Sequence, residues 1–129
     1  MDTQAEQRDN PRWVRVMADY SSNGIWAQSG GSAELEYLPV SVALHQRLAA
    51  WCVWYEKNDD YLPEEERKAN FDYAAFSAEG LAIAKAVKAE LPDWTVVYFD
   101  EAKFRALMGP PIPPVARSRS DFEYEVSIG

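Results

Sequence analysis

The chain holds one histidine, His45, and one cysteine, Cys52, so every Ser–His, Cys–His or two-histidine metal arrangement would have to run through a single residue. Both fall in one predicted helix. His45 follows the apolar Leu44 and reads as a partly exposed helix residue; as a general base it would need a partner from elsewhere in the chain. Cys52 sits beside Trp51 and reads as a small buried hydrophobe. A single cysteine also excludes an internal disulfide and any Cys-rich zinc site.

Carboxylates offer more. Asp19 ends the run WVRVMAD, and Asp100-Glu101 follow the run VVYF. If those two strands are parallel neighbours, the three carboxylates meet at the C-terminal edge of the sheet, where α/β proteins commonly bind ligands. Such a group could hold Mg²⁺ or supply an acid–base pair. The plainer reading is that acidic residues end strands where the chain leaves the core. The densest feature is EKNDDYLPEEE at 56–66, which gathers Asp59, Asp60, Glu64, Glu65 and Glu66 around Tyr61 and Leu62, just after Trp54 and Tyr55. Aromatic anchors within an acidic rim suit a basic protein partner. Against it stands a solvated loop whose glutamates, after Pro63, simply begin a short helix.

Compact phosphate and catalytic motifs are absent: no GxxxxGK[ST], GxGxxG, GxSxG, HExxH or EF-hand loop occurs, and SGGS at 29–32 is only a turn. No cofactor, no resident metal and no enzymatic activity are expected. Thirteen basic against twenty-one acidic residues give a net charge of −8. Nucleic-acid and anionic-membrane affinity both come mostly from Lys and Arg, so both partners are disfavoured. An acidic domain can instead be steered to a basic protein, although simple solubility explains the same charge. The first ten residues lack the apolar core of a signal peptide, and no run approaches the ~20 apolar residues of a membrane span. A reducing cytoplasm is the expected home.

These side chains must be positioned by few elements, because 129 residues make one domain. Residues 1–10 read as a flexible tail and 11–129 as a single domain. A strand is predicted over 13–19, where Val14 and Val16 alternate with Arg15 and Met17, and a short one over 25–28 between two turns. After Pro39, Ser41 can cap a helix running to about Asn58, with Leu44, Leu48, Trp51 and Tyr55 in one stripe. A second helix spans about 72–91, through Phe76, Gly80, Ile83, Val87 and Leu91, and Pro92 stops it. Gly80 is unfavourable there and predicts close approach of another backbone, that of the sheet. WTVVYF at 94–99 has no alternation and predicts a central strand buried on both faces. A short helix over 101–108 and a polyproline stretch at 110–114 follow. The alternating run 122–128 predicts a half-buried strand, antiparallel or at an edge. This order predicts an α/β (α+β) domain: a three- to four-stranded mixed sheet with two long helices on one face.

The segments RVMADYSSNGIW (15–26), LPVSVALHQRLAAWCVWYE (38–56) and LPDWTVVYFDE (91–101) resemble a group of short, acidic, uncharacterised bacterial proteins. In size and charge, though not in motif, the chain is also similar to immunity proteins of contact-dependent growth inhibition. That likeness implies a non-enzymatic protein that covers the active cleft of a basic toxin domain. The acidic run, with Asp59, Asp60, Tyr61, Glu64, Glu65 and Glu66, is its expected contact. The rival expectation is a ligand- or metal-binding domain, or small enzyme, using Asp19, Asp100 and Glu101.

Overall fold

The computed structural model describes residues 12–19, 22–57, 72–108 and 121–127. Four strands form one mixed sheet in the order β2-β1-β3-β4: β1 (Trp13–Val16), β2 (Ile25–Trp26), β3 (Thr95–Phe99) and β4 (Glu123–Val126). β1 and β3 run parallel at its centre, with Val14 opposite Val96 and Val16 opposite Tyr98. β2 pairs antiparallel with β1, and β4 antiparallel with β3, placing Val126 beside Val96 and Tyr124 beside Tyr98. This register puts Val14, Val16, Ile25, Val96, Tyr98 and Val126 on one face, and all six are buried. The apolar pattern has therefore set the register.

Two long helices cover that face. Helix α1 (Val42–Tyr55) begins where Ser41, in extended conformation, accepts a hydrogen bond on its hydroxyl from the Leu44 amide at 3.2 Å. The expected stripe Leu44, Leu48, Trp51 and Tyr55 is buried, joined by Cys52. The helix ends at Tyr55, before the expected Asn58. Helix α2 (Tyr73–Glu90) is capped by Asp72, whose carboxylate accepts from the Ala75 amide at 2.9 Å. Both caps follow from short polar side chains that satisfy otherwise orphaned first-turn N–H groups. Ser41 also donates through its backbone N–H and its hydroxyl to the two carboxylate oxygens of Glu90, at 2.7 and 2.8 Å, tying the start of α1 to the end of α2. The short helix α3 (Glu101–Met108) lies where the sequence places it.

Three expectations are corrected. β3 is central, but its burial alternates: Val96 and Tyr98 are buried, whereas Thr95, Val97 and Phe99 are half-buried. The two long helices cover the Val96–Tyr98 face, whereas on the other face Phe99 packs against Phe104 of α3 and against Phe122. Gly80 does permit a close approach, but of side chains rather than backbone. A methyl group there would overlap the indole of Trp51 and the hydroxyl of Tyr98. β1 is also shorter than expected, because the chain leaves the sheet after Val16 into a turn. There Met17 donates to the Gly24 carbonyl at 3.0 Å, and Gly24 takes a positive φ of 80°. β4 is both antiparallel and at the edge. The expected tail over 1–10, the helix after Pro63 and the polyproline stretch lie outside the described residues.

Candidate functional site

β1 and β3 are parallel neighbours; Asp100-Glu101 follow β3 directly, whereas Asp19 comes three residues after the end of β1. Asp100 is 7% exposed and already engaged. One carboxylate oxygen accepts from the Lys103 amide at 3.2 Å, capping the start of α3, and the other accepts from the Tyr124 hydroxyl at 3.2 Å. Its backbone N–H donates to the Phe122 carbonyl at 2.7 Å. Glu101 is equally buried, and both it and Asp19 have partners of their own.

The phenols near Asp100 are held protonated. Burial, reinforced by the charge of Asp100, pushes the Tyr124 hydroxyl up to about 12. Burial pushes Tyr98 up as well, partly opposed by a hydrogen bond with the Ser77 side chain. At neutral pH both are donors rather than bases. Among the described residues, no group of three or more His, Cys, Asp and Glu could hold a metal ion.

The acidic-run residues Asp59, Asp60, Tyr61, Glu64, Glu65 and Glu66 lie outside the described residues. What the structure does describe are the run's two anchors. The chain enters the run from Glu56, which closes α1, and leaves it into Asp72, which caps α2. Those helices are packed together by Phe76, whose ring meets Trp51, Trp54 and Tyr55 at centroid distances of 4.8, 5.3 and 5.5 Å.

A third place escaped the sequence reading. Ser22 and Asn23, between β1 and β2, face α1 across a hollow of about 230 Å³ whose helix side is lined by His45, Ala49, Cys52, Val53 and Glu56. His45 Nε2 lies 2.9 Å from the Leu38 carbonyl oxygen, which can only accept, so Nε2 carries the proton. In the neutral ring Nδ1 then presents a lone pair. That atom is buried and has no hydrogen-bond partner. Asn23 donates its amide N–H to the Ala33 carbonyl at 3.1 Å, which fixes its side chain.

Burial raises the Cys52 thiol to about 11, partly opposed by a hydrogen bond with Ser22, so it is a poor nucleophile at neutral pH. Val53, which also lines the hollow, is 55% exposed, and Val42, three turns earlier on the same side of α1, is 71% exposed. Sequence reasoning had His45 and Cys52 on the correct helix, but only the fold of the turn brings Asn23 to them. The available signal was the pair Val42 and Val53, eleven residues apart on the side of α1 away from its buried stripe.

The model of the Serratia CdiI immunity protein-like family matches residues 12–101, from just before β1 to the first residue of α3. The span includes both long helices and the two parallel strands, well over half of the 129 residues, and the chain belongs to this family. No curated protein matches the chain. Among the described residues, no helix is long and apolar enough to cross a membrane.

Proposed function

We propose that this member of the Serratia CdiI immunity protein-like family binds and neutralises a basic toxin domain in the bacterial cytoplasm, acting as a stoichiometric inhibitor and not as an enzyme. The family match over 12–101 carries the reading. The net charge of −8 supports a basic partner, because opposite charge speeds encounter and fixes orientation. Inhibition is steric: an acidic surface with aromatic anchors occupies the cationic cleft that the toxin needs for its own substrate. Asp59, Asp60, Tyr61, Glu64, Glu65 and Glu66 form the rim of that surface, in the segment joining α1 to α2.

The test has two levels. Affinity capture of the tagged chain from its native lysate, at low and then high salt, should recover one basic toxin domain, held less firmly at high salt. Added in equimolar amount, the chain should abolish that domain's activity, and a toxin left fully active ends the neutralisation reading. Replacing Asp59, Asp60, Glu64, Glu65 and Glu66 together by Ala should weaken the complex and flatten its salt dependence. Unchanged affinity would remove the acidic run from the interface.

A second reading draws on the parallel pairing of β1 and β3, the strands that Asp19 and Asp100-Glu101 follow in sequence. There these residues would bind a small ligand and not a metal ion. A metabolite that raises the melting temperature of the wild type but not of Asp19→Asn is its signature; a melting temperature indifferent to every compound screened counts against it.

A further inference from the structure

Helix α1 is apolar on the side that faces solvent as well as on the side that faces the sheet. Val42 and Val53, the large hydrophobic side chains exposed among the described residues, stand in one outward row with Gln46 and Ala49, which are exposed too. Steps of four, three and four residues keep this row on one side of the helix, and it holds no charge. Helix α2 repeats the pattern beside it. Ala75, Ala78, Lys85 and Ala89 are exposed at steps of three, seven and four, with the half-buried Ala82 in line between them.

The two rows share one centre. Ser41, at the start of α1, is tied to Glu90 at the end of α2, and Arg47 is tied to Glu79, so the helices run antiparallel. This pairing sets the middle of the α1 row, between Gln46 and Ala49, level with Ala82, the middle of the α2 row. One twofold axis at that level therefore serves both rows. It lays α1 antiparallel on α1 of another copy, Val42 against Val53 and Gln46 against Ala49. It also sets α2 facing α2 across alanines, whose small side chains let two helices approach closely.

Charge selects the occupant. The chain carries −8 overall, but the charged side chains within and between these rows are Arg47, Glu79, Lys85 and Glu90, which cancel. A second copy of an acidic chain meets no excess of like charge here, and a basic partner finds no excess of acidic charge to attract it.

We propose that the outer face of α1 and α2 joins two copies of this chain in a twofold-symmetric dimer, with Val42 of each copy packed on Val53 of the other. The dimer goes beyond the neutralisation reading and does not depend on it.

Sedimentation velocity over a concentration series should show monomer passing to dimer. Added sodium chloride should strengthen the dimer, because it screens the repulsion between two chains of −8 each; a complex between an acidic and a basic protein responds in the opposite sense. Val42→Asp and Val53→Asp should each raise the dimer dissociation constant at least about tenfold. Both positions are exposed, so the variants should fold, which circular dichroism checks. Val53→Asn, which adds no charge, should weaken the dimer in the same direction. A dimer broken by these variants supports the proposal whether or not a toxin is captured. A chain that stays monomeric at every concentration and salt overturns it, and if Val53→Asp then weakens a toxin complex, the face belongs to the toxin. A dimer that all three variants leave intact is built on another surface, which overturns the assignment as well.

Discussion

The indole of Trp51 lies almost flat on the ring of Phe76, with centroids 4.8 Å apart and planes 12° from parallel, and its N–H donates at 3.0 Å to the carbonyl of that same residue. Tyr98, from β3, donates its hydroxyl to the next carbonyl, that of Ser77, at 2.8 Å. Two consecutive carbonyls of α2 thus each take a donor from a different element. The Ser77 hydroxyl in turn accepts the Ala102 amide at 2.9 Å, one of the orphan donors at the start of α3. Helix α1, helix α2, the central strand and helix α3 are locked at one point, and Gly80 provides the opening through which Trp51 and Tyr98 reach it.

Gly80→Ala should therefore lower stability, against helix propensity. Alanine gains about 1 kcal/mol in a helix interior. Here its methyl would overlap Trp51 and Tyr98, and overpacking of this kind costs about 1–3 kcal/mol. The urea midpoint should fall. A variant more stable than the parent would mean that the opening relaxes freely.

Arg15 and Glu123 form an ion pair on the sheet face opposite the two long helices, 3.1 Å apart, with side chains only 12% and 10% exposed. The guanidinium also lies 5.3 Å over the ring of Trp13. Removing one partner strands a nearly buried charge, so Arg15→Met should cost about 3 kcal/mol. Arg15→Met with Glu123→Leu should cost clearly less than Arg15→Met alone. Simple additivity of the two single losses, measured by urea unfolding, would refute the coupling.

Alkali should destabilise the fold. Cys52 is raised from 9.0 to about 11 and Tyr124 from 10.0 to about 12, and Tyr98 is raised too. Between these limits the unfolded chain releases protons that the folded chain retains. The stability they contribute is complete below pH 9.0 and is lost as pH climbs through the folded values. Urea midpoints at pH 8, 10 and 11 should decline, and Cys52→Ala should flatten the early part of the decline. A rising midpoint would show the sign to be wrong. At pH 8 a thiol reagent should label Cys52 slowly until denaturant is added.

Arg47 of α1 grips Glu79 of α2 through two hydrogen bonds of 2.7 and 3.0 Å. The Arg47 guanidinium holds the Glu79 carboxyl below its ordinary value of 4.5. A depressed carboxyl stabilises above its unfolded value, and the effect disappears as pH falls through the folded one. Both side chains remain partly exposed, so Glu79→Gln should cost less than about 1 kcal/mol at neutral pH. The difference from wild type should shrink in acid and in high salt; a gap that persists in both would point to packing rather than charge.

The helices were legible because their signals are local. Ser41 and Asp72 cap within three residues of themselves, and the stripe from Leu44 to Tyr55 repeats every three or four positions, so neither depends on distant chain. The alternation at the C-terminal end announced β4 for the same reason. Burial of β3 was misread, because an unbroken apolar run says nothing about how many layers cover a sheet. The reason for Gly80 was half legible: a need for space is local, but the identity of the occupants, Trp51 and Tyr98, is set by packing between elements.

For the candidate sites the division is similar. The sequence by itself determined the charge, the poverty of catalytic motifs, the helix bearing His45 and Cys52, and the two strands whose ends carry Asp19 and Asp100. Tertiary structure decided that those strands are parallel neighbours, that Asp100 is spent on Lys103 and Tyr124, and that Asn23 faces α1 across a hollow lined by His45. Caps and periodicity arise from neighbours along the chain. Pairing, burial and enclosure arise from residues that meet only when apolar faces far apart in sequence pack together.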